Sequence, residues 1–242
     1  MSKRKKSKKS QSIIHVTTKH TGKMKGINSL STSCLTCGRC AKYASVKGSI
    51  CEHCFAKTTQ ERYKDLAVHL ANNSITLSDH IFTSEEIASI PVVGEVFRFE
   101  SFGDLQSVTQ AINYINIARA NRKTTFALWT KNPDILAAAV KAGYKIPKNM
   151  CIGLSSLFTD LPYNEKGLDH WKQYFHIDFV FTVYTADYAL EHNITINCGA
   201  NDCNGCRRCY TRHKHTMYVN EILKSQSKKY YRELEKRKKK AA

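Results

Sequence analysis

Nine of the ten cysteines lie in two short stretches, CLTCGRCAKYASVKGSICEHCFA at residues 34–56 and CGANDCNGCRRCY at residues 198–210. Thiols separated by two residues rarely pair with each other in structural disulfides, but their thiolates converge readily on one metal. The N-terminal sequence is too polar for the core of a signal peptide, which predicts a cytoplasmic protein. Metal chemistry is therefore favoured over disulfide bonding for both stretches.

The first stretch has a spacing that suits two kinds of centre. Cys37, Cys40, Cys51 and Cys54 form a C-x2-C-x10-C-x2-C pattern that is typical of a zinc ribbon with a short loop. Alternatively, three cysteines hold three irons of a [4Fe–4S] cluster and leave the fourth iron open. Spacing alone leaves open which of Cys34, Cys37 and Cys40 are ligands.

The second stretch offers four ligands, which is enough to close a site. Cys198, Cys203, Cys206 and Cys209 end in a C-x2-C-x2-C run that is typical of ferredoxins, and zinc fits almost as well. We therefore expect a structural or electron-transfer centre here. Cys151 lies in an apolar segment and is predicted to be an ordinary buried cysteine.

The elements that must position these residues alternate between strands and helices. Strands are predicted at 95–102, 124–130, 149–157, 178–185 and 194–198, and helices at 59–73, 132–143 and in the segments TSEEIASI, DLQSVTQAINYINIARAN and ADYALEHN. This alternation predicts an α/β fold with parallel strands, either an open sheet or a partial (β/α) barrel.

Polar residues follow each predicted strand, at the edge where α/β proteins carry their functional groups. The list is Gly103 and Asp104, Thr130 and Lys131, Ser155 and Ser156, Tyr184, Thr185 and Asp187, and finally Asn197 and Cys198. By this argument the second cysteine stretch begins on the functional edge of the sheet.

The charge is concentrated at the two ends of the chain. Residues 1–10 hold six Lys or Arg, and residues 224–242 hold nine with two Glu, so the ends contribute +6 and +7 of the net +18. Such tails favour nucleic acid through release of counterions from phosphates. Residues 206–218 interleave cations with aromatic rings, which predicts nucleic-acid binding by Arg207, Arg208, Arg212 and Lys214.

The motifs CEHCFA, RFESFGDL and FALWTKNP together resemble phage and mobile-element proteins known by gene-product names, and their radical S-adenosylmethionine relatives. The likeness covers roughly residues 25–210. It implies a partial (β/α) barrel in which three cysteines bind a [4Fe–4S] cluster and the open iron takes S-adenosylmethionine, whose reductive cleavage yields a radical. The chain differs from the usual C-x3-C-x2-C spacing and has SFGD where those relatives have two glycines and a glutamate.

The resemblance also implies roles for individual residues. Cys51 and Cys54 match the last two ligands, with Cys40 or else Cys37 as the first. Gly103, Asp104, Ser155 and Phe55 would contact the cofactor, and Lys131 would be a catalytic residue.

Three functions follow as alternatives. The first is an iron–sulfur, S-adenosylmethionine-dependent radical protein that acts on nucleic acid or a nucleotide. The second is a non-enzymatic nucleic-acid-binding protein stapled by zinc, and the third is a phage protein that binds a host protein. We expect a disordered basic tail at 1–11, one domain at 12–220, a basic helix or tail at 221–242, and no membrane span.

Overall fold

A computed structural model describes residues 12–199 and 202–241 and contains one six-stranded parallel sheet. The strands are β1 Asn28–Leu30, β2 Val96–Phe99, β3 Thr125–Thr130, β4 Met150–Ser155, β5 Phe179–Tyr184 and β6 Met217–Ile222. They pair in the order β1-β2-β3-β4-β5-β6, so every strand lies beside its neighbours in sequence. The predicted α/β class with parallel strands is therefore confirmed.

Ten helices accompany the sheet in the part of the chain that the structure describes. They are α1 Gly38–Ala44, α2 Phe55–Arg62, α3 Lys64–Asp79, α4 Ser84–Ser89, α5 Val108–Ala120, α6 Pro133–Lys141, α7 Glu165–Lys172, α8 Ala186–Glu191, α9 Cys203–Cys206 and α10 Ser227–Ala241. Parallel neighbours need a crossover connection, and the crossovers β2–β3, β3–β4 and β4–β5 each contain one of the helices α5, α6 and α7. β1 and β6 form the two edges of the sheet.

The main core lies between the helices and one face of the sheet. Alternate strand residues such as Phe97, Phe126 and Ile152 are fully buried there against apolar residues of α5, including Ile115. Because side chains alternate between the faces of a strand, the intervening residues point to the opposite face. We call the first face the helix face and the second the inner face.

The inner face is covered by short irregular segments instead of long helices. Val96, Ala127 and Cys151 pack there with Ile27, which precedes β1, and with Tyr210, the last residue of the second cysteine stretch. Cys151 is fully buried, as predicted. The two cysteine-containing segments are therefore separate from the main core.

Several predicted elements are confirmed with shorter bounds. The predicted strands at 95–102, 124–130, 149–157 and 178–185 correspond to β2, β3, β4 and β5. α4 begins with a capping box in which the Thr83 hydroxyl accepts from the N–H of Glu86 and the Glu86 carboxylate accepts from the N–H of Thr83. The helix predicted at 59–73 is divided at Tyr63, where α2 ends and α3 follows.

The strand predicted at 194–198 is wrong, and the last strand is β6 instead. Residues 194–199 lie along the free edge of β6 without forming a strand of their own. Asn197 and Asn220 exchange side-chain and backbone hydrogen bonds, and the N–H of Cys198 donates to the Asn220 carbonyl over 3.0 Å. Amide side chains thus replace the regular ladder that the alternation of ITINC predicted.

The basic C-terminal segment, expected to be a helix or a tail at 221–242, is helical over Ser227–Ala241. Tyr230 and Leu234 of α10 pack against α8 through Ala189 and Leu190. Residues 1–11, predicted to be a disordered tail, lie outside the described residues. Within the described residues, none of the helices has the length and apolar character needed to cross a bilayer.

Candidate metal centres

The first cysteine segment is held over the carboxyl edge of the sheet by contacts to the ends of two strands. The Arg39 guanidinium, from α1, donates to the Lys131 carbonyl just past β3 over 3.0 Å. The N–H of Ile50 donates to the Leu157 carbonyl just past β4 over 2.9 Å. Residues 34–54 thus lie at the carboxyl edge of the sheet, the position that the sequence had predicted for the second cysteine stretch instead.

The five thiols of this segment, from Cys34, Cys37, Cys40, Cys51 and Cys54, lie close together, and we call them the first cysteine set. The thiol of Cys40 interacts with those of Cys37 and Cys51, and the thiol of Cys34 interacts with that of Cys54. The backbone N–H of Cys40 also donates to the Cys37 sulfur over 3.3 Å. Both C-x2-C halves of the predicted pattern therefore meet.

Neighbouring thiols favour the thiolate form at three of the five positions, whereas the pKa values of Cys34 and Cys40 are raised. The hydrogen bond from Cys40 lowers the pKa of Cys37 to about 7, and the hydrogen bond from Cys34 lowers the pKa of Cys54 to about 6. The pKa of Cys51 is also lowered, first by its hydrogen bond with Cys40 and then by the charge of Lys131. Thiolates are the form that binds metals.

Lys131 and Asp104, both predicted site residues, lie together beside the first cysteine set. The buried Asp104 carboxylate accepts from the Thr130 hydroxyl over 2.6 Å and from the Lys131 N–H over 3.0 Å. It also accepts from the N–H of Leu105 over 2.8 Å. Asp104 thus fixes the end of β3, from which Lys131 places its charge near Cys51 and Cys54.

Gly103 fills a position with no room for a side chain. A Cβ atom there would lie 2.4 Å from the Thr32 hydroxyl oxygen and 2.8 Å from a Glu100 carboxylate oxygen. Glu100 itself follows β2 directly and has a φ of 58°, in the left-handed region. Its buried carboxylate accepts from Thr32, Gln110 and Tyr114. The loop after β2 is therefore packed tightly around a carboxylate.

Phe55 and Ser155, predicted to contact a cofactor, are in different surroundings. Phe55 is the first residue of α2 and is 55% exposed, with the Lys224 ammonium 5.5 Å from its ring centroid. A cleft of about 440 Å³ lies beside it, lined by Cys51, Cys54, Lys57 and Lys224 among others. Ser155 is buried at the end of β4, on the same face as Cys151.

The second cysteine set does not lie on the carboxyl edge, although the sequence predicted that position. Its members are Cys198, Cys203, Cys206 and Cys209. Cys203 and Cys209 pack on the inner face against Val96, Ala127 and Cys151, in the amino-terminal halves of their strands. The expectation is wrong because residues 194–198 do not form a strand that ends at the carboxyl edge. The two cysteine sets therefore occupy different parts of the sheet.

The second cysteine set is partly buried and has two cations beside it. Burial raises the pKa of Cys198 to about 11 and that of Cys209 to about 12. The Lys23 ammonium lies 3.8 Å from the Cys198 sulfur and ion-pairs with Glu221. Arg98, whose guanidinium stacks on Trp129 at 3.9 Å from the ring centroid, places its charge near Cys203 and Cys209.

Arg98 also carries one of the three buried side-chain polar atoms without a hydrogen-bond partner among the described residues. This atom is its Nε, an N–H donor. A buried donor without a partner is costly. Four thiolates around Zn²⁺ carry a net charge of about −2, and a four-thiolate iron–sulfur cluster is likewise anionic. An anionic centre of this kind would accept a hydrogen bond from Arg98 Nε, and the charge of Lys23 would offset its negative charge. The residues around the second cysteine set therefore fit such a centre.

The described part of the chain, however, holds no arrangement that is ready for a bound ion. In residues 12–199 and 202–241, no group of three or more His, Cys, Asp or Glu side chains is disposed so that it could hold a metal ion. The thiols of the first cysteine set instead interact in pairs. Binding of a metal or cluster therefore requires a change in their side-chain rotamers.

The four predicted nucleic-acid residues are divided between different environments. Arg207 has a φ of 51° and ion-pairs with Glu95 over 2.5 Å. Arg212 lies 3.6 Å from the buried Asp178 carboxylate. Arg208 and Lys214 are exposed. Tyr210, which the sequence suggested as a stacking ring, is buried on the inner face.

Three residues of these sites were missed by the sequence analysis. Glu100 falls inside the strand predicted at 95–102, so it was not considered as a strand-end residue. Arg98 alternates with apolar residues in the same strand, which was the available signal for a charged group on the inner face. Lys23 carries no sequence signal that separates it from the other lysines.

The sequence model of the family described as Gene product 88 matches residues 1–232. The chain belongs to the Gene product 88 family. This match covers both cysteine sets and all six strands, and it agrees with the resemblance to phage gene-product proteins. The chain matches no curated protein and no solved structure.

Proposed function

We propose that this protein is an iron–sulfur protein of the radical S-adenosylmethionine type that acts on nucleic acid. The observation that carries the proposal is the gathering of the first cysteine set at the carboxyl edge of a sequentially ordered parallel sheet. This edge is where α/β sheets and barrels hold their cofactors and substrates. A [4Fe–4S] cluster held there and reduced by an external one-electron donor would supply the electron for reductive cleavage of S-adenosylmethionine, and the resulting radical would abstract hydrogen from a substrate.

The sheet has features that support a partial barrel. Sequential strand order is the order of (β/α) barrels, in which each strand joins its neighbour through a helix on the outside. The edges of a flat six-stranded sheet would be about 24 Å apart. Lys23, shortly before the edge strand β1, nevertheless ion-pairs with Glu221 on the other edge strand, β6. This contact supports a sheet that curves towards closure.

The residues around the first cysteine set have separable tasks in this proposal. Cys51 and Cys54, with Cys40 or Cys37, hold the cluster. Lys131 balances the negative charge of these thiolates, and Asp104 positions Lys131 through its backbone N–H.

The open side of the first cysteine set is the cleft of about 440 Å³ beside Phe55. Its lining contains Lys57 and Lys224 together with Glu52 and Glu61, and Lys57 ion-pairs with Glu61. The exposed ring of Phe55 lies next to Lys224, which makes no ion pair among the described residues. Ser155 is on the inner face at the end of β4, where its hydroxyl can serve a polar group of S-adenosylmethionine. The cleft thus suits a ligand that offers a ring to Phe55 and an anionic group to Lys224.

The second cysteine set is proposed to hold an auxiliary, fully ligated centre. Four cysteines close the coordination sphere of such a centre, which leaves no iron open to substrate. Lys23 and Arg98 compensate its charge at the inner face. Its role is therefore structural or in electron transfer.

Nucleic acid is proposed as the substrate class because the surface near the cleft is cationic. Lys224 lies in the cleft, and α10 begins three residues later. While Tyr230 and Leu234 of α10 face α8, its exposed positions include Lys228, Lys229, Arg232, Lys236, Arg237, Lys238 and Lys239. Such a surface attracts phosphates without reading sequence.

The test is the metal and sulfide content of the protein after anaerobic purification. The proposal expects about eight irons and eight sulfides for each chain, with the absorption spectrum of [4Fe–4S] clusters. Zinc without sulfide would overturn it.

A zinc-stapled nucleic-acid-binding protein is the second candidate. The observation that favours it is the contact between Cys37, Cys40 and Cys51, since thiols that already touch need smaller rotations for one ion than for a four-iron cluster. In that case the positive surface of α10 would bind nucleic acid without any chemistry at the cleft.

A further inference from the structure

A second cleft, of about 400 Å³, lies between the end of α7 and the start of β6. Lys172 is the last residue of α7, and Lys214 and His215 precede β6. His176 and Tyr218 complete the part of the lining that can contact an anion. We call this the α7–β6 cleft.

The lining of this cleft contains two lysines and no carboxylate. Asp169 ion-pairs with the Lys172 ammonium over 2.9 Å, so part of the charge of Lys172 is already compensated. The buried Asp178 lies 3.5 Å from His176 and 3.6 Å from Arg212. The exposed Lys214 makes no ion pair among the described residues. Its charge is therefore available to a ligand.

Tyr218 gives the cleft a surface for stacking. It is the second residue of the edge strand β6 and is 46% exposed. An exposed ring flanked by cations is the combination that binds single-stranded nucleic acids, since bases stack on the ring while phosphates meet the charges.

We propose that the α7–β6 cleft binds single-stranded nucleic acid, with Lys172 and Lys214 on the phosphates and a base stacked on Tyr218. This proposal rests on the proposed function, in which the protein acts on nucleic acid, and it identifies the cleft that holds the polymer. It also explains why the basic stretch 206–218 is divided, since Arg207 and Arg212 are engaged within the protein while Lys214 and Tyr218 face outward.

The position of the cleft adds a condition on ligand length. It lies at the amino end of β6, whereas Leu223 and Lys224 at the other end of the same strand line the cleft beside the first cysteine set. A strand of six residues spans about 20 Å. A nucleic acid held in the α7–β6 cleft would therefore reach the cysteines only as a polymer, and a mononucleotide would not contact both clefts.

The experiment is fluorescence anisotropy of a labelled oligothymidylate of about 12 nucleotides, a length within the usual site size for single strands. We expect Lys172→Ala/Lys214→Ala to bind about tenfold more weakly than the unmodified protein. The matched control is Lys123→Ala/Lys145→Ala, which removes the same charge from exposed positions outside the cleft and should change the affinity less than threefold.

Variants of Tyr218 provide a second test of binding, one that does not change the charge of the cleft. Tyr218→Ala should weaken binding about fivefold or more, whereas Tyr218→Phe, which keeps the ring, should bind as the unmodified protein does. Equal losses in both lysine pairs, or an unchanged affinity in Tyr218→Ala, would overturn the proposal. Because the binding needs no metal, its failure is separable from a failure to find iron and sulfide.

Discussion

The backbone N–H of Cys40 donates to the Cys37 sulfur over 3.3 Å, while the Cys40 thiol interacts with the Cys51 thiol across the loop. Ten residues separate Cys40 from Cys51 in sequence, yet both are brought to the end of β3 and β4. Arg39 and Ile50 make the contacts that achieve this. The unusual spacing of the first cysteine set is therefore compatible with one common site.

Arg98→Met is expected to weaken metal retention by the second cysteine set about tenfold, in the range found when groups that support metal ligands are removed. The reason is the loss of the positive charge beside Cys203 and Cys209. The measurement is a chelator titration in a Cys51→Ala/Cys54→Ala background, in which the second centre remains.

The control for this titration is Arg122→Met, which removes one exposed charge elsewhere on the chain. It should release metal at the same chelator concentration as the background. If Arg98→Met does so too, Arg98 has no part in holding the centre.

Glu100 should make folding stability depend on pH. Burial raises the pKa of its carboxyl to about 7, from an ordinary value of 4.5. The folded state thus binds this proton more tightly than the unfolded state, so the free energy of unfolding falls as pH rises from about 4.5 to 7 and then stays level. This shift in the pKa of Glu100 corresponds to about 3 kcal/mol of free energy of unfolding.

The test is chemical denaturation of the native protein and of Glu100→Gln across this pH range. The difference between their free energies of unfolding should change by about 3 kcal/mol between pH 4.5 and 8. Glu85→Gln, at an exposed carboxylate of α4, should leave the native profile unchanged. A constant difference between native protein and Glu100→Gln would show that Glu100 is already ionised at low pH.

Gly103→Ala is expected to destabilise the fold by about 2 kcal/mol, because the new methyl group would overlap Thr32 and Glu100. Thermal unfolding measures the effect as a lower Tm. Gly38→Ala is the matched control, since a Cβ at that position meets no atom within 4 Å and lies in α1. Equal Tm values for the two variants would mean that the loop after β2 can relax around the added group.

The sequence predicted β2 to β5 because their apolar residues alternate or run continuously between helices with clear caps. β6 was missed because MYVNEI mixes polar and apolar residues and follows a basic segment. Its place is set by pairing with β5, from Phe179–Met217 to Tyr184–Ile222, and no local pattern encodes that pairing.

For a similar reason, cysteine spacing predicted the two candidate ligand sets but not their positions on the sheet. Residues 34–54 come shortly after β1, which places them at the carboxyl edge, although no edge position was predicted for them. The second cysteine set returns to the amino-terminal halves of β2, β3 and β4, which depends on packing of Tyr210 against Val96 and Ala127. The spacing of cysteines in a motif does not predict such long-range packing.

The most direct test of the central claim is electron paramagnetic resonance of the reduced Cys203→Ala/Cys206→Ala variant, in which only the first cysteine set can hold a cluster. We predict a [4Fe–4S] signal that changes when S-adenosylmethionine is added, and that disappears when Cys51→Ala is introduced as well. Zinc with no such signal, or a cluster signal that S-adenosylmethionine leaves unchanged, would contradict the account.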